Sequence, residues 1–223
     1  DIYHLSKLAI MEYLTSGITA NADMYLTPDT MIQASEDCGF RTTVIGAVND
    51  FTQSVKEVEN WYEKYHKEDG LTSYELGFHA EYTTKREILE GISELSKKYH
   101  APIYTHNSES ASEVAQCVER TGMTPTVYME QLGLFEYGGG LYHCVHMSEE
   151  DLDVVKRHQI SVITNPASNL KLASGIAPIE EMLKRNIDLA IGTDGPASNN
   201  CLDMFREMFL VTALAKYREN DAS

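Results

Sequence analysis

The segment LAIGTDGPASNN (189–200) begins as an apolar run and stops on Thr193, Asp194 and Gly195. A short apolar run bounded by turn residues is typical of a buried strand, so Asp194 stands where that strand ends. Taken alone, an Asp before Gly is most often a turn residue or a helix cap. The alternative is that Asp194 is a functional carboxylate. The choice between these interpretations depends on whether other strands also end on polar groups at the same place.

Outward from this segment, short apolar or β-branched runs alternate with longer stretches of helical periodicity. Strict alternation predicts parallel strands joined by crossover helices, in either a doubly wound sheet or a (β/α)8 barrel that lacks one strand. No glycine-rich phosphate-binding turn follows the first strand in ADMYLTPDT (22–30), so the sequence favours the TIM-type barrel. The predicted strands are 17–25, 41–48, 74–82, 102–107, 140–147, 161–166 and 188–194.

Composition narrows the class of protein. The chain has 223 residues, 43% hydrophobic residues and a formal net charge of -16. This length predicts a single domain over residues 1–223, and the acidic balance argues against nucleic acid or an anionic membrane as partner. No apolar run reaches the length of a membrane span, and the 4 cysteines form no CxxC pair. We therefore expect a cytoplasmic protein with reduced thiols.

Polar side chains recur at the ends of the predicted strands, which in a parallel barrel form the face that carries active sites. A lone strand-end His is more often structural, and Glu109 at a helix start favours the helix dipole without any function. A structural role explains each of these residues singly. It does not explain why such residues occur at the ends of several successive strands. Imidazole and carboxylate are ordinary ligands for zinc or iron. The strand ends carry His79, His106, His143, Asn165 and Asp194.

Several longer motifs resemble the amidohydrolase superfamily. They are THNSES (105–110), LYHCVHM (141–147), NPASNLKLASGIAPIEEML (165–183) and GTDGPASNN (192–200). Within that superfamily the chain is similar to the deaminase and chlorohydrolase branch, which includes 5-methylthioadenosine/S-adenosylhomocysteine deaminases. The resemblance covers nearly the whole chain and reinforces the barrel prediction.

The resemblance implies a role for each strand-end residue. His106 and Asp194 would bind one divalent metal, with zinc expected first and iron as the alternative. Glu109 of the H-x-x-E motif would move protons to the substrate ring, His143 would orient the hydroxide and the attacked carbon, and Asp194 would accept the water proton. Substrate contacts are expected from His79, Glu109, Asn165 and Ser168.

His146 competes with His143 for its role. Three residues apart on a strand, the two side chains would face opposite ways, so only one would point into the barrel. The spacing to Asp194 within the resemblance favours His143, and we expect His146 to be an outer or loop residue.

The chain departs from the family at its beginning. The family's other two metal ligands form an H-x-H pair that ends strand one, and this sequence contains no H-x-H. His4, on a predicted helix, is no substitute. We therefore expect an internal fragment that covers barrel strands two to eight, without strand one and the flanking β-sandwich. Such a fragment would bind metal weakly, be inactive alone, and associate with a second copy through the open barrel side.

The expected function of the intact protein is metal-dependent hydrolytic deamination of an aminated purine nucleoside, with methylthioadenosine or adenosine-like substrates favoured. Arginines that hold a homocysteine carboxylate in the family have no counterpart in segment 49–70, which contains lysines but no arginine. The alternatives are a guanine or triazine-type amidohydrolase or chlorohydrolase, and a non-catalytic barrel fragment.

Overall fold

The computed structural model describes residues 1–222 and contains one curled sheet of seven parallel strands. The strands are β1 (Ala20–Met24), β2 (Arg41–Ile45), β3 (Thr72–Ala80), β4 (Ile103–Asn107), β5 (Gly139–His143), β6 (Ser161–Thr164) and β7 (Leu189–Ile191). Their order in the sheet follows their order in the chain. Each strand is parallel to its neighbours, as crossover helices require.

Helices connect successive strands and cover the outer face of the sheet. They are α1 (Ile2–Thr15), α2 (Pro28–Cys38), α3 (Val55–Tyr65), α4 (Arg86–Tyr99), α5 (Ala111–Thr121), α6 (Pro125–Gln131), α7 (Glu149–Arg157), α8 (Pro166–Lys171), α9 (Ile179–Lys184), α10 (Pro196–Asn199) and α11 (Met204–Glu219), with a 3-10 helix at Glu81–Thr83. Serine side chains begin α3, α5 and α7 by accepting backbone N–H groups. Gly39 and Gly122 end α2 and α5 in the left-handed conformation.

The main hydrophobic core lies between the sheet and the helices. Central strand residues such as Val44, Leu76 and Ile103 are fully buried and belong to one cluster with Ile92 of α4 and Val155 of α7. Both faces of a parallel sheet must be covered, and the helices cover the outer one. Within residues 1–222, no helix has both the length and the apolar character needed to cross a bilayer.

The predicted fold class is confirmed, since the seven strands form an incomplete (β/α)8 barrel. Strands β1 and β7 stand at the two ends of the strand order, and in the described part of the chain no ladder joins them. Each of the seven predicted strands has its counterpart in β1 to β7, with ends that differ by a few residues.

The largest differences are at the carboxyl ends of β3 and β5. Glu81–Thr83 forms a 3-10 helix, which ends β3 earlier than predicted. His143 (φ 69°) and Cys144 (φ 48°) adopt the left-handed conformation, which cannot continue a strand. The argument that placed His143 and His146 on opposite faces of one strand was therefore wrong. His146 does lie in a loop, where its Nε2 is 2.7 Å from the carbonyl oxygen of Ser174.

Gly77 marks a close approach of three strands. A Cβ added there would lie 2.6 Å from the Gly46 carbonyl oxygen, 2.6 Å from Ile45 Cγ2 and 2.7 Å from the Tyr104 carbonyl oxygen. We expect Gly77→Ala to lower the free energy of unfolding by about 1–3 kcal/mol in urea titrations, because overpacked strands must separate. Gly195→Ala is the control, since its added carbon meets nothing within 4 Å. Equal losses in the two variants would contradict the prediction.

Asp23 gives β1 a pH-dependent stability. Burial raises the pKa of its carboxyl group to about 6, above its ordinary value of 3.8. The folded state therefore binds this proton more tightly than the unfolded state, so the stabilisation is complete below the ordinary pKa and is lost as pH rises through 6. We expect Asp23→Asn to reduce the fall in unfolding free energy between acidic and neutral pH.

Urea unfolding of wild type and Asp23→Asn at several pH values measures this effect. Asp69→Asn, at an exposed loop residue, is the matched control and should keep the wild-type pH dependence. The prediction fails if the unfolding free energies of wild type and Asp23→Asn change in parallel with pH.

Candidate active site

Three imidazoles face one another at the carboxyl ends of β3, β4 and β5. The ring centroids of His79 and His106 are 5.0 Å apart, and those of His106 and His143 are 5.4 Å apart. Neighbouring parallel strands end side by side, which brings these residues together despite their separation in sequence.

His106 is held so that one ring nitrogen stays available. Its Nδ1 lies 2.7 Å from the backbone carbonyl oxygen of His79, to which an Nδ1–H donates. This bond leaves the lone pair on Nε2, the arrangement typical of a metal-binding imidazole. Burial, together with the neighbouring His143 and His79, lowers the pKa of His106 to about 3. The ring is therefore neutral at physiological pH and able to donate its lone pair.

Asp194 follows β7 in a left-handed conformation (φ 58°). Its Oδ2 accepts a 2.6 Å hydrogen bond from Ser168 Oγ, and its Oδ1 accepts a 2.5 Å bond from the Gly195 backbone. Burial would raise the pKa of Asp194, but hydrogen bonds from Ser168, Gly195 and Ser198 outweigh burial and hold it below its ordinary value. Asp194 is therefore an ionised carboxylate. Its negative charge favours the protonated form of the nearby His106 ring, but burial of that ring has the larger effect on its pKa.

His143 is oriented by Asn169 of the segment after β6, and Asn165 lies nearby. The Nδ1 of His143 lies 2.8 Å from Asn169 Oδ1 and 3.5 Å from Asn165 Nδ2. The shorter contact assigns the Nδ1 proton to the bond with Asn169. The other nitrogen, Nε2, faces Glu109 Oε2 at 3.8 Å.

Glu109 completes the cluster from the turn after β4. Its Oε1 accepts a 3.2 Å hydrogen bond from Ser174 Oγ, while Oε2 faces His143. A carboxylate beside an imidazole nitrogen is a suitable place to hold and move one proton. The predicted residues at the ends of β3 to β7 therefore lie in one cluster.

Sequence reasoning missed two residues of this cluster, Asn169 and Ser174. Both lie in the NPASNLKLAS motif, in which only Asn165 and Ser168 were predicted site residues. The available signal was position, because Asn169 directly follows Ser168 in α8, the short helix that comes after β6. Ser168 contacts Asp194 and Asn165 lies beside His143, whereas their contact with a substrate stays a prediction.

A cavity of about 440 Å³ lies away from this cluster, on the outer side of β7. Residues of α9, α11, β6 and β7 line it, among them Ile179, Val211 and Leu189. None of the cluster residues lines it, so it does not belong to the candidate active site.

The chain matches the amidohydrolase family over residues 1–222. It belongs to the amidohydrolase family. This amidohydrolase is 38% identical over 231 residues to a 5-methylthioadenosine/S-adenosylhomocysteine deaminase of Caldanaerobacter subterraneus, covering 100% of this chain and 53% of the relative. It is 36% identical over 215 residues to a 5'-deoxyadenosine deaminase of Methanococcus maripaludis, covering 93% of this chain and 51% of that protein. The chain thus spans about half the length of the curated relatives it matches.

Solved structures agree with the fold of this amidohydrolase. An adenosine deaminase from Xanthomonas campestris with bound zinc superposes with a TM-score of 0.93 at 32% identity, covering 99% of this chain and 52% of that one. Atrazine chlorohydrolase from Arthrobacter aurescens complexed with zinc gives a TM-score of 0.90 at 22% identity, covering 98% and 54%. The second likeness bears on the fold alone.

The donors in this amidohydrolase fit a divalent metal. A neutral imidazole with a free Nε2 and an ionised carboxylate are the ligand types that zinc accepts. Within residues 1–222, however, no three His, Cys, Asp or Glu side chains are arranged to share one ion. His106 and Asp194 therefore provide part of a coordination sphere.

We expect Asn169→Leu to release the tautomer of His143, because the leucine removes the acceptor that fixes the proton on Nδ1. Nitrogen-15 NMR of the imidazole rings should show Nδ1–H in wild type and a mixture of tautomers in the variant. Asn60→Leu, at an exposed position of helix α3, is the control. Identical His143 spectra in wild type and Asn169→Leu would contradict the assignment.

Proposed function

We propose that the protein containing this chain is a metal-dependent hydrolase that removes the amino group from adenosine-like nucleosides. The observation that carries the proposal is the pairing of Glu109 with His143 beside His106 and Asp194 at one set of strand ends. Its support includes the relatives named as 5-methylthioadenosine/S-adenosylhomocysteine and 5'-deoxyadenosine deaminases.

His106 Nε2 and the Asp194 carboxylate would hold the metal, which we propose to be zinc. When bound, such an ion supplies a water whose pKa falls towards neutrality, and thus hydroxide near pH 7. Because fewer than three suitable side chains converge within residues 1–222, tight binding would need ligands from outside them. The remaining chemistry belongs to the residues of this chain.

Deamination adds water to the ring carbon that bears the amino group and then releases ammonia. Asp194 accepts a proton from the attacking water, since its hydrogen bonds keep it ionised. Glu109 donates a proton to the ring nitrogen beside the attacked carbon. His143 orients the new oxygen, and its own orientation comes from Asn169. When the tetrahedral carbon collapses, Asp194 gives the proton it took from water to the leaving amine, and the new hydroxyl gives its proton to Glu109. Ammonia leaves, and both carboxyl groups return to their starting forms.

The substrate class is proposed from chemistry and from relatives together. His79, Asn165 and Ser168 are proposed substrate contacts, because their polar groups lie at the same strand ends. The relatives' printed substrates share an adenosine-like body and differ at its 5' end, so the adenine ring is the part we assign to this site.

We propose a cytoplasmic location. All 4 cysteines, at positions 38, 117, 144 and 201, are free thiols. Free thiols are stable in a reducing compartment, which supports the proposal.

In the full-length protein, Glu109→Gln should lower kcat for adenosine-like substrates by about 10²–10⁴-fold, since an amide cannot carry the proton. Its bound metal, measured by plasma mass spectrometry, should remain at the wild-type level. His106→Ala should lose both activity and metal.

Glu119→Gln, at an exposed position two residues before the end of α5, is the matched control and should retain both properties. Near wild-type turnover by Glu109→Gln would refute the assignment of the proton shuttle. Absence of deamination by the wild-type protein across a panel of aminated nucleosides would refute the proposed function.

A further inference from the structure

We propose that Glu113 is a positioning residue, which fixes the turn that carries Glu109 and couples it to the turn that carries His143. The consequence for catalysis rests on the proposed function, whereas the structural effect can be measured without it. Glu113 lies on α5, and its carboxylate contacts the backbone of the turn that carries Glu109.

The carboxylate of Glu113 accepts hydrogen bonds from the backbone amides of three successive residues. Its Oε1 accepts a 2.9 Å hydrogen bond from the Ser108 N–H. Its Oε2 accepts N–H bonds from Glu109 at 2.9 Å and from Ser110 at 3.4 Å. The residue is only 4% exposed, so these amides are satisfied by the carboxylate instead of by bulk water.

An ordinary helix cap explains only one of these three bonds. In a capping box, the third helical residue accepts the N–H of the N-cap residue, which here is Ser110. The same chain contains a plain example, because Asp151 accepts the Ser148 N–H at 2.8 Å at the start of α7. Glu113 reaches two residues further back, to Ser108 and Glu109.

The turn that Glu113 holds has an unfavourable backbone conformation. Ser108 has a φ of 48°, in the left-handed region that most residues avoid. Such conformations persist only where surrounding contacts determine them. The carboxylate of Glu113 supplies those contacts on both sides of the turn, at Ser108 and at Glu109.

The held turn is also bonded to the turn after β5. The Ser108 carbonyl oxygen accepts N–H bonds from Val145 at 3.1 Å and His146 at 2.9 Å. The preceding carbonyl, of Asn107, accepts the Cys144 N–H at 3.0 Å. Cys144 follows His143, so movement of the Ser108 turn would change the 3.8 Å separation of His143 Nε2 and Glu109 Oε2. Glu113 therefore controls the relative position of these two groups.

Glu113→Asp separates positioning from capping. The shorter carboxylate can still accept the Ser110 N–H, as Asp151 does for Ser148, but it cannot reach back to Ser108 and Glu109. In the full-length protein we expect a kcat lower by about 10–100-fold, since displaced catalytic groups react slowly. The Tm should also fall, because the Ser108 and Glu109 amides lose their acceptor. KM should stay within about twofold, because substrate contacts are retained.

Asp151→Asn is the matched control, because it removes a buried carboxylate from the other capping box. It should lower Tm while kcat stays near wild type. Glu113→Gln, which presents an NH₂ group to the turn amides, should lower both Tm and kcat. Wild-type kcat in Glu113→Asp, or an equal loss of kcat in Asp151→Asn, would overturn the proposal.

Hydrogen exchange supplies a readout that does not need activity. In the full-length protein, amides of Ser108 and Glu109 should exchange faster in Glu113→Asp than in wild type, while the Ser110 amide stays protected. Unchanged protection at Ser108 and Glu109 would overturn the positioning role. If no nucleoside is deaminated, the proposed function fails, and the exchange result still decides what Glu113 does.

Discussion

Parallel pairing of the seven strands is the constraint on which the rest of the molecule depends. It directs every carboxyl end to one edge of the sheet, so residues far apart in sequence become neighbours. His79, His106 and His143 lie at the ends of three successive strands, and the centroids of neighbouring rings are 5.0 and 5.4 Å apart. The backbones of β2, β3 and β4 approach one another closely at Gly77, where a larger side chain would clash with the neighbouring strands.

Buried carboxylates organise the loops that parallel pairing brings together. Glu113 accepts amides of the turn after β4, and Glu207 of α11 performs a related task after β6 and β7. Glu207 accepts the Ala167 N–H at 3.0 Å and the Asn199 side-chain amide at 2.8 Å. Asn199 also donates to the Thr193 carbonyl, beside Asp194. Helices on the outside thereby fix functional loops at the strand ends.

The sequence was sufficient to predict the strands and the residues at their ends, because both follow from local patterns. Alternation of apolar runs with helical stretches indicates the parallel barrel, and polar residues at run ends, such as His106 and Asp194, identify the edge that carries them. Long-range contacts were not predictable in this way. The bonds of Asn169 to His143 and of Ser174 to Glu109 join residues 26 and 65 positions apart. The early end of β5 also escaped prediction, since no residue type forces a left-handed His143.

The left-handed residues at the strand ends restrict how this site can change by substitution. Ser108, His143 and Asp194 all have positive φ, so the backbone at each position selects among amino acids before any chemistry does. Glycine, asparagine, aspartate and histidine tolerate this region, whereas β-branched residues do not. Among these four amino acids, only aspartate offers the carboxylate that position 194 uses, and only histidine offers the imidazole that position 143 uses. Exchange of either for valine, isoleucine or threonine would therefore carry a backbone penalty in addition to the loss of a functional group, which narrows the routes by which such a site could drift to new chemistry.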